Sequence, residues 1–213
     1  MKQSLGQRFG AWFRSKAEAY LTKRRVIHGF PVTVFNTRTD VDTAQVFDRL
    51  DQALELISRY HPRLYRRLRH DVAALTVRRY PCRGAFFATT RTCLIELTFT
   101  VNPQFTVAEI ASCIVHEGTH ARIRRPGSQL PVQASGREER VCRRTELEFA
   151  KALPAPDGER VVRRARELLQ FQDSDLAVDV DWQEAHRRVI EADLEAAPKW
   201  VKTLRQWRGK RTA

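Results

Sequence analysis

The residues whose types and spacing could do chemistry sit near the middle of the chain, in "TVAEIASCIVHEGTHARI", residues 106–123. His116 and His120 are four residues apart, and Glu117 follows the first directly. A helix turns about 100° per residue, so the two imidazoles stack on one face with their Cβ atoms about 5–6 Å apart. That spacing suits two corners of a zinc tetrahedron. Glu117 projects beside them. A zinc ion lowers the pKa of a coordinated water toward roughly 7, and a neighbouring carboxylate can take the proton as the water attacks a carbonyl. The plain alternative is a surface helix that happens to carry two histidines and an acid. The setting favours the zinc site. Thr106 and Glu109 form a capping box, and Val107, Ile110, Ile114 and Gly118 supply an apolar stripe. The small residues Gly118 and Thr119 permit close packing opposite the ligands, where a surface helix would carry Lys or Glu.

A catalytic zinc takes three protein ligands and leaves a fourth position open. A third histidine six residues after His120 would fall on Pro126, and the one methionine is Met1, so the H-x-x-G-x-x-H and Met-turn pattern is excluded. The next helical stretch, "REERVCRRTELEFAKAL", offers carboxylates instead. Glu139, Cys142 and Glu146 share one face of it, which Phe149 and Ala150 extend inward, and an acid on an inward face needs a partner. Glu139 is the first choice of third ligand, with Glu146 as a carboxylate that orients a ligand histidine. Glu138 and Glu146 stand as rival ligands. Cys113 and Cys142 share the ligand faces but read as small buried residues. Tyr80, Tyr65, Tyr60 and His186 are the available oxyanion donors, and the sequence does not choose among them. His186 reads as a surface or packing histidine, with Trp182, Val189 and Ile190 facing the core.

The elements that must position these groups follow from periodicity and turn signals. Leu5, Phe9, Trp12, Phe13 and Ala17 predict an amphipathic N-terminal helix packed on the core, without the continuous apolar run of a secretory signal. "HGFPVTVFNT" reads as a strand. Asp42, with Gln45 as capping partner, opens a helix striped by Phe47, Leu50, Leu54 and Ile57; Pro62 breaks or kinks it, and "RLYRRLRHDV" continues it as a second helical piece. "ALTVRRY", "GAFFATT" and "TCLIELTFTV" read as strands, the best defined being Thr92 to Val101. "RRPGSQLPVQASG" is a loop, followed by helices at Arg137–Leu153, Asp157–Phe171 and Asp181–Ala197 and a basic tail. The expected class is α+β and helix-rich: one domain over 1–213, with N-terminal helices and a small sheet (1–105), zinc-binding helices (106–153) and C-terminal helices (154–213).

Composition narrows the classes further. A chain of 213 residues with 42% hydrophobic and 30% charged residues is globular, and no apolar run approaches the roughly 18 residues of a membrane span. The four cysteines are scattered without a CxxC pair, which points to reduced thiols in the cytoplasm. Lys and Arg total 38 against 25 acids, a net charge of +13. Such a balance suits nucleic acid or an anionic surface, but no zinc-finger, RNP or helix-turn-helix pattern accompanies it.

From Thr92 to about Ala150 the sequence resembles the gluzincin branch of zinc metallopeptidases, in its small single-domain members. "HEGTH" carries the resemblance specifically and "EERVCRRTE" loosely. The resemblance implies zinc (Zn2+) held by His116, His120 and a downstream glutamate, with Glu117 as general base and proton shuttle. It also implies that the strand before the motif helix walls a groove where a peptide substrate adds to the sheet. One departure stands out: the family often carries Asp one turn after the ligand glutamate, and this chain has Arg143. The expected function is zinc-dependent hydrolysis of a peptide bond in a peptide or protein. The alternatives are a non-catalytic, zinc-stabilised basic module that binds an acidic partner or nucleic acid, and a basic nucleic-acid or membrane-surface binder with a chance motif.

Overall fold

A computed structural model describes residues 19–124, 135–176 and 181–198. The expected N-terminal helix at 5–17, most of the loop after the motif helix and the basic tail lie outside them. The fold is α+β and helix-rich. Among the described residues, β1 (Thr22–Ile27), β2 (Phe30–Phe35), β3 (Ala74–Arg78), β4 (Gly84–Phe87) and β5 (Thr92–Glu96) form one sheet in the order β1-β2-β3-β5-β4. The three inner strands β2, β3 and β5 run parallel, while β1 and β4 close the two ends antiparallel.

The hairpin β1–β2 was not expected. It turns through His28 and Gly29, both at positive φ (48° and 77°), the two-residue geometry that matches strand twist. β1 shows no alternation because Lys23, Arg24 and Arg25 are all exposed. It is an edge strand guarded by charge.

Registered rows of side chains build the buried face of the sheet. Val32, Leu75, Cys93 and Phe86 form one row, and Val34, Val77, Ile95 and Gly84 the next. Against them pack α1 (Thr43–Tyr60), which contributes Val46, Phe47, Leu50, Leu54 and Ile57, and α4 (Val107–Ile123). Each such apolar side chain contributes roughly 1.5–3 kcal/mol on burial. Between them α2 (Pro62–Asp71) starts at Pro62 and lays Leu64 and Leu68 on the core. Then α5 (Gly136–Ala152), α6 (Asp157–Leu169), the short α7 (Asp173–Leu176) and α8 (Trp182–Ala196) complete the described chain. None of the described helices is long and apolar enough to cross a membrane.

The strand expected over Thr92 to Val101 ends at Glu96. Residues Leu97–Val101 form a helical turn, α3, in spite of their β-branched composition. The cause is Glu96, whose carboxylate accepts from the Phe99 amide at 2.6 Å and the Thr98 hydroxyl at 2.7 Å and so caps the turn. This turn carries the chain off the sheet and into α4.

Candidate metal centre

α4 is buried on most of its circumference, so its polar residues must find partners inside the protein. Its start is fixed by the expected capping box: Thr106 Oγ1 accepts from the Glu109 amide and Glu109 accepts from the Thr106 amide. The expected close approach is present too. A Cβ at Gly118 would overlap Leu68 of α2, and Thr119 is buried with its hydroxyl on the Val115 carbonyl. Those contacts occupy the back of α4. Its front carries His116, Glu117 and His120, each less than 10% exposed.

The two imidazoles converge. His116 Nε2 and His120 Nε2 are 3.1 Å apart. Glu139, from α5, lies 3.2 Å from His116 Nε2 through one oxygen and 3.2 Å from His120 Nε2 through the other. Tetrahedral bonds of about 2.0–2.1 Å place neighbouring donors about 3.3 Å apart, so these three groups fit around a zinc-sized ion. The far nitrogens are anchored. His116 Nδ1 donates to Glu146 at 2.5 Å and His120 Nδ1 to Glu138 at 2.7 Å. Each anchor is itself held, Glu146 by Ser112 (3.0 Å) and Arg143 (2.6 Å), and Glu138 by Arg124 (2.7 and 3.1 Å). Carboxylates on Nδ1 fix both rings with Nε2 toward the shared point. Arg143 thus faces Glu146 rather than an imidazole, and the histidine contact comes from Glu146, a turn further on.

One other donor is near. Cys142 Sγ lies within 4.8 Å of a ligating nitrogen of each histidine. Burial raises its thiol pKa to about 12, against the pull of His116, so it stays a protonated thiol. Glu139 is the better placed donor, with an oxygen 3.2 Å from each Nε2, and both imidazoles hold its carboxyl well below the usual range against its burial. All four cysteines are free.

Burial opposes protonation of His116, but the Glu139 and Glu146 carboxylates outweigh it and push its pKa up to about 10. Around His120, Glu138 and Glu139 do the same against burial, up to about 9. Both values lie above neutrality, which favours a proton on Nε2 as well as Nδ1 of these imidazoles in the metal-free protein at pH 7. A metal needs the Nε2 lone pairs, and Glu139 is already ionised. Loading zinc at pH 7 is therefore expected to release about two protons per ion. Isothermal titration in buffers of differing ionisation enthalpy measures the number; a value near zero would mean that the imidazoles are neutral beforehand.

In front of the three donors lies a cleft of about 810 Å³, lined by Glu117, the ligand candidates, Tyr80, Arg83, Gly84 and His186 among others. β4 forms its rim. Gly84 sits so close to α4 that a Cβ there would come within 2.7 Å of both Cys113 Sγ and Glu117 Oε1. Only glycine lets the rim strand approach the Glu117 carboxylate in this way. Burial raises the Glu117 pKa, against the pull of His116 and His120.

The strand that walls the cleft is not the one expected. β5 precedes α4 but pairs on both sides, with β3 and β4, and has no edge to offer. β4 is the edge. His186, expected as a surface or packing histidine, is half-buried and packs its ring 5.1 Å from that of Tyr80 at the cleft, while Ile190, expected in the core, is exposed. Tyr65 donates to the His28 carbonyl at 2.7 Å, and neither it nor Tyr60 lines the cleft. Arg83 and Gly84 carried no signal in the sequence. One was an arginine among 38 basic residues, the other a turn residue.

No protein-family model matches the chain, and no curated protein or solved structure matches it either.

Proposed function

We propose that this chain is a zinc-dependent peptidase of the gluzincin kind, hydrolysing peptide bonds in the cleft between β4 and α4. The observation that carries the reading is the convergence of His116 Nε2, His120 Nε2 and Glu139, with Glu117 beside them on the open side. Held by those three residues, a zinc ion would supply Lewis acidity, making a water molecule more acidic and polarising the scissile carbonyl.

The chain's own groups do the rest. The outer edge of β4, unpaired among the described residues, offers backbone groups to an extended peptide. Glu117 takes a proton from the attacking water and returns it to the amine nitrogen as the C–N bond breaks. Its raised pKa suits the second half of that exchange, because a carboxyl that holds its proton longer can carry it to the leaving group. Tyr80 keeps its phenolic proton, since burial raises its pKa further, and it and His186, which both line the cleft, are the candidates to donate to the developing carbonyl oxygen.

The test is to incubate the zinc-loaded protein with a mixed peptide library and follow cleavage by mass spectrometry. Cleavage that a chelator abolishes and added zinc restores supports the reading; an intact library sinks it and favours the non-catalytic zinc module. Within the peptidase reading, Tyr80→Phe is expected to lower kcat roughly 100-fold at unchanged zinc content. An unchanged kcat would leave His186 as the donor.

A further inference from the structure

Part of the net charge of +13 gathers at a place that hydrolysis in the cleft does not use. α2 carries Arg63, Arg66, Arg67 and His70 at i, i+3, i+4 and i+7, on one face, and all four are exposed. Arg122 of α4, also exposed, joins them, and with Asp71 these residues line a hollow of about 530 Å³ between the two helices. Arg122 stands one turn beyond Gly118, the glycine that packs on Leu68. The hollow therefore lies on the back of α4, away from His116 and His120.

Four guanidinium groups and an imidazole share this hollow with one carboxylate, and that carboxylate is already engaged. Asp71 meets His70 Nδ1 at 2.8 Å through one oxygen and lies 3.7 Å from Arg122 through the other. Arg63, Arg66 and Arg67 make no hydrogen bond or ion pair among the described residues. Like charges one helical turn apart repel, so the pairs Arg63–Arg67 and Arg66–His70 work against α2 until an anion neutralises them.

The lining selects the anion. Guanidinium forks match the oxygens of a phosphate, and a row of them about 5–6 Å apart suits successive charges on a polymer better than one small ion. Among the described residues, no aromatic side chain lines the hollow to stack a base, and no Asn or Gln lines it to read a base edge. Contact is then with the backbone and carries no sequence preference. No apolar side chain lines it either, whereas a site that lies in a membrane surface sets apolar groups among its cations.

We propose that Arg63, Arg66, Arg67 and Arg122 form a binding surface for the sugar–phosphate backbone of a nucleic acid. It stands apart from the metal centre on the other side of α4, so binding and cleavage are measured separately.

The probe is a fluorescein-labelled DNA duplex of about 20 base pairs, followed by anisotropy with the whole chain between about 50 and 200 mM salt. Four neutralised phosphates give a slope of log Kd on log salt near 3.6, so affinity is expected to fall roughly 100-fold over that range. Arg63→Gln combined with Arg67→Gln is expected to weaken binding roughly 10-fold at the lower salt and to reduce the slope by about 2. Arg122→Gln, from the other wall, is expected to reduce it by about 1, and it decides the matter if circular dichroism shows the double variant unfolded. Arg163→Gln combined with Arg166→Gln removes two exposed charges from α6 instead and is expected to shift Kd by less than about twofold. Weakening confined to the α2 and α4 variants supports the proposal. No binding at the lower salt, or equal weakening by the α6 variant, overturns it and leaves a general attraction of the surface for anions. Phosphatidylserine vesicles or polyglutamate that displace the probe as well as unlabelled duplex does, at equal charge, overturn it in favour of a membrane or an acidic protein.

Discussion

Glu139→Ala is expected to leave the protein without zinc, while Glu138→Ala retains it with affinity lowered roughly 10- to 100-fold. The two glutamates are neighbours in sequence, yet they meet different nitrogens. Glu139 faces both Nε2 atoms at 3.2 Å and so occupies the third corner of the donor set. Glu138 stands behind His120, on Nδ1, at 2.7 Å. On the zinc reading, removing the first would take away a ligand, and removing the second would only loosen the ring that carries one. Plasma mass spectrometry of protein purified without chelator or polyhistidine tag reads the difference, from about one zinc per chain in the wild type to near none in Glu139→Ala. Cys142→Ser completes the set. It is expected to keep zinc, because Glu139 sets one oxygen 3.2 Å from each Nε2 and completes the donor set without the sulfur. If Cys142→Ser empties the site and Glu139→Ala does not, the third ligand is the sulfur. If Glu138→Ala empties it and Glu139→Ala does not, the roles of the two glutamates exchange.

The parts of this protein legible in its sequence are those where local and global preferences agree. α4 announces itself by a capping box and by small residues at Gly118 and Thr119, and the structure uses both as written. α1 and α2 are equally plain, since Asp42 and Pro62 are start signals that no tertiary contact overrides. Leu97–Val101 shows the opposite case. Its composition favours a strand, but a single Glu96 carboxylate capping two donors turns it into a helix, and capping by a buried acid leaves no periodic trace. β1 is hidden for a related reason, because an edge strand guarded by Arg and Lys does not alternate. In the site, face sharing along α5 places Glu139 and Glu146 together, as one helix predicts for itself. The partner of each carboxylate is a property of two helices crossing. Sequence spacing cannot say that Glu138 reaches His120 or that Arg124 holds it. The cleft is hardest of all. Tyr80, Gly84 and His186 come together from a loop, a rim strand and the last described helix, with no spacing to connect them.

Glu117→Gln is expected to reduce hydrolysis by a factor of roughly 100 to 10,000 while leaving zinc content unchanged. Glutamine has the same shape, so it refills the space beside Gly84 and Cys113 without moving β4, and the fold and donor set remain. What it loses is the ability to take and return a proton. The loss therefore belongs in kcat, with peptide affinity held by the cleft. This variant separates the two zinc readings more sharply than any ligand change. A zinc that only ties α4 to α5 closes its coordination with four protein groups and has no use for a buried carboxylate on its open side. Such a module would tolerate the amide and gain stability, because burying an ionisable carboxyl against apolar surroundings costs more than burying a neutral amide. Thermal denaturation of the metal-loaded pair checks that the amide is accommodated without disturbing the fold, and the rate decides between the readings. A more stable Glu117→Gln that no longer cleaves is what a site selected for chemistry at the expense of stability would give. A more stable variant that binds the same partners and shows no loss of any activity would mark Glu117 as an accident of the helix.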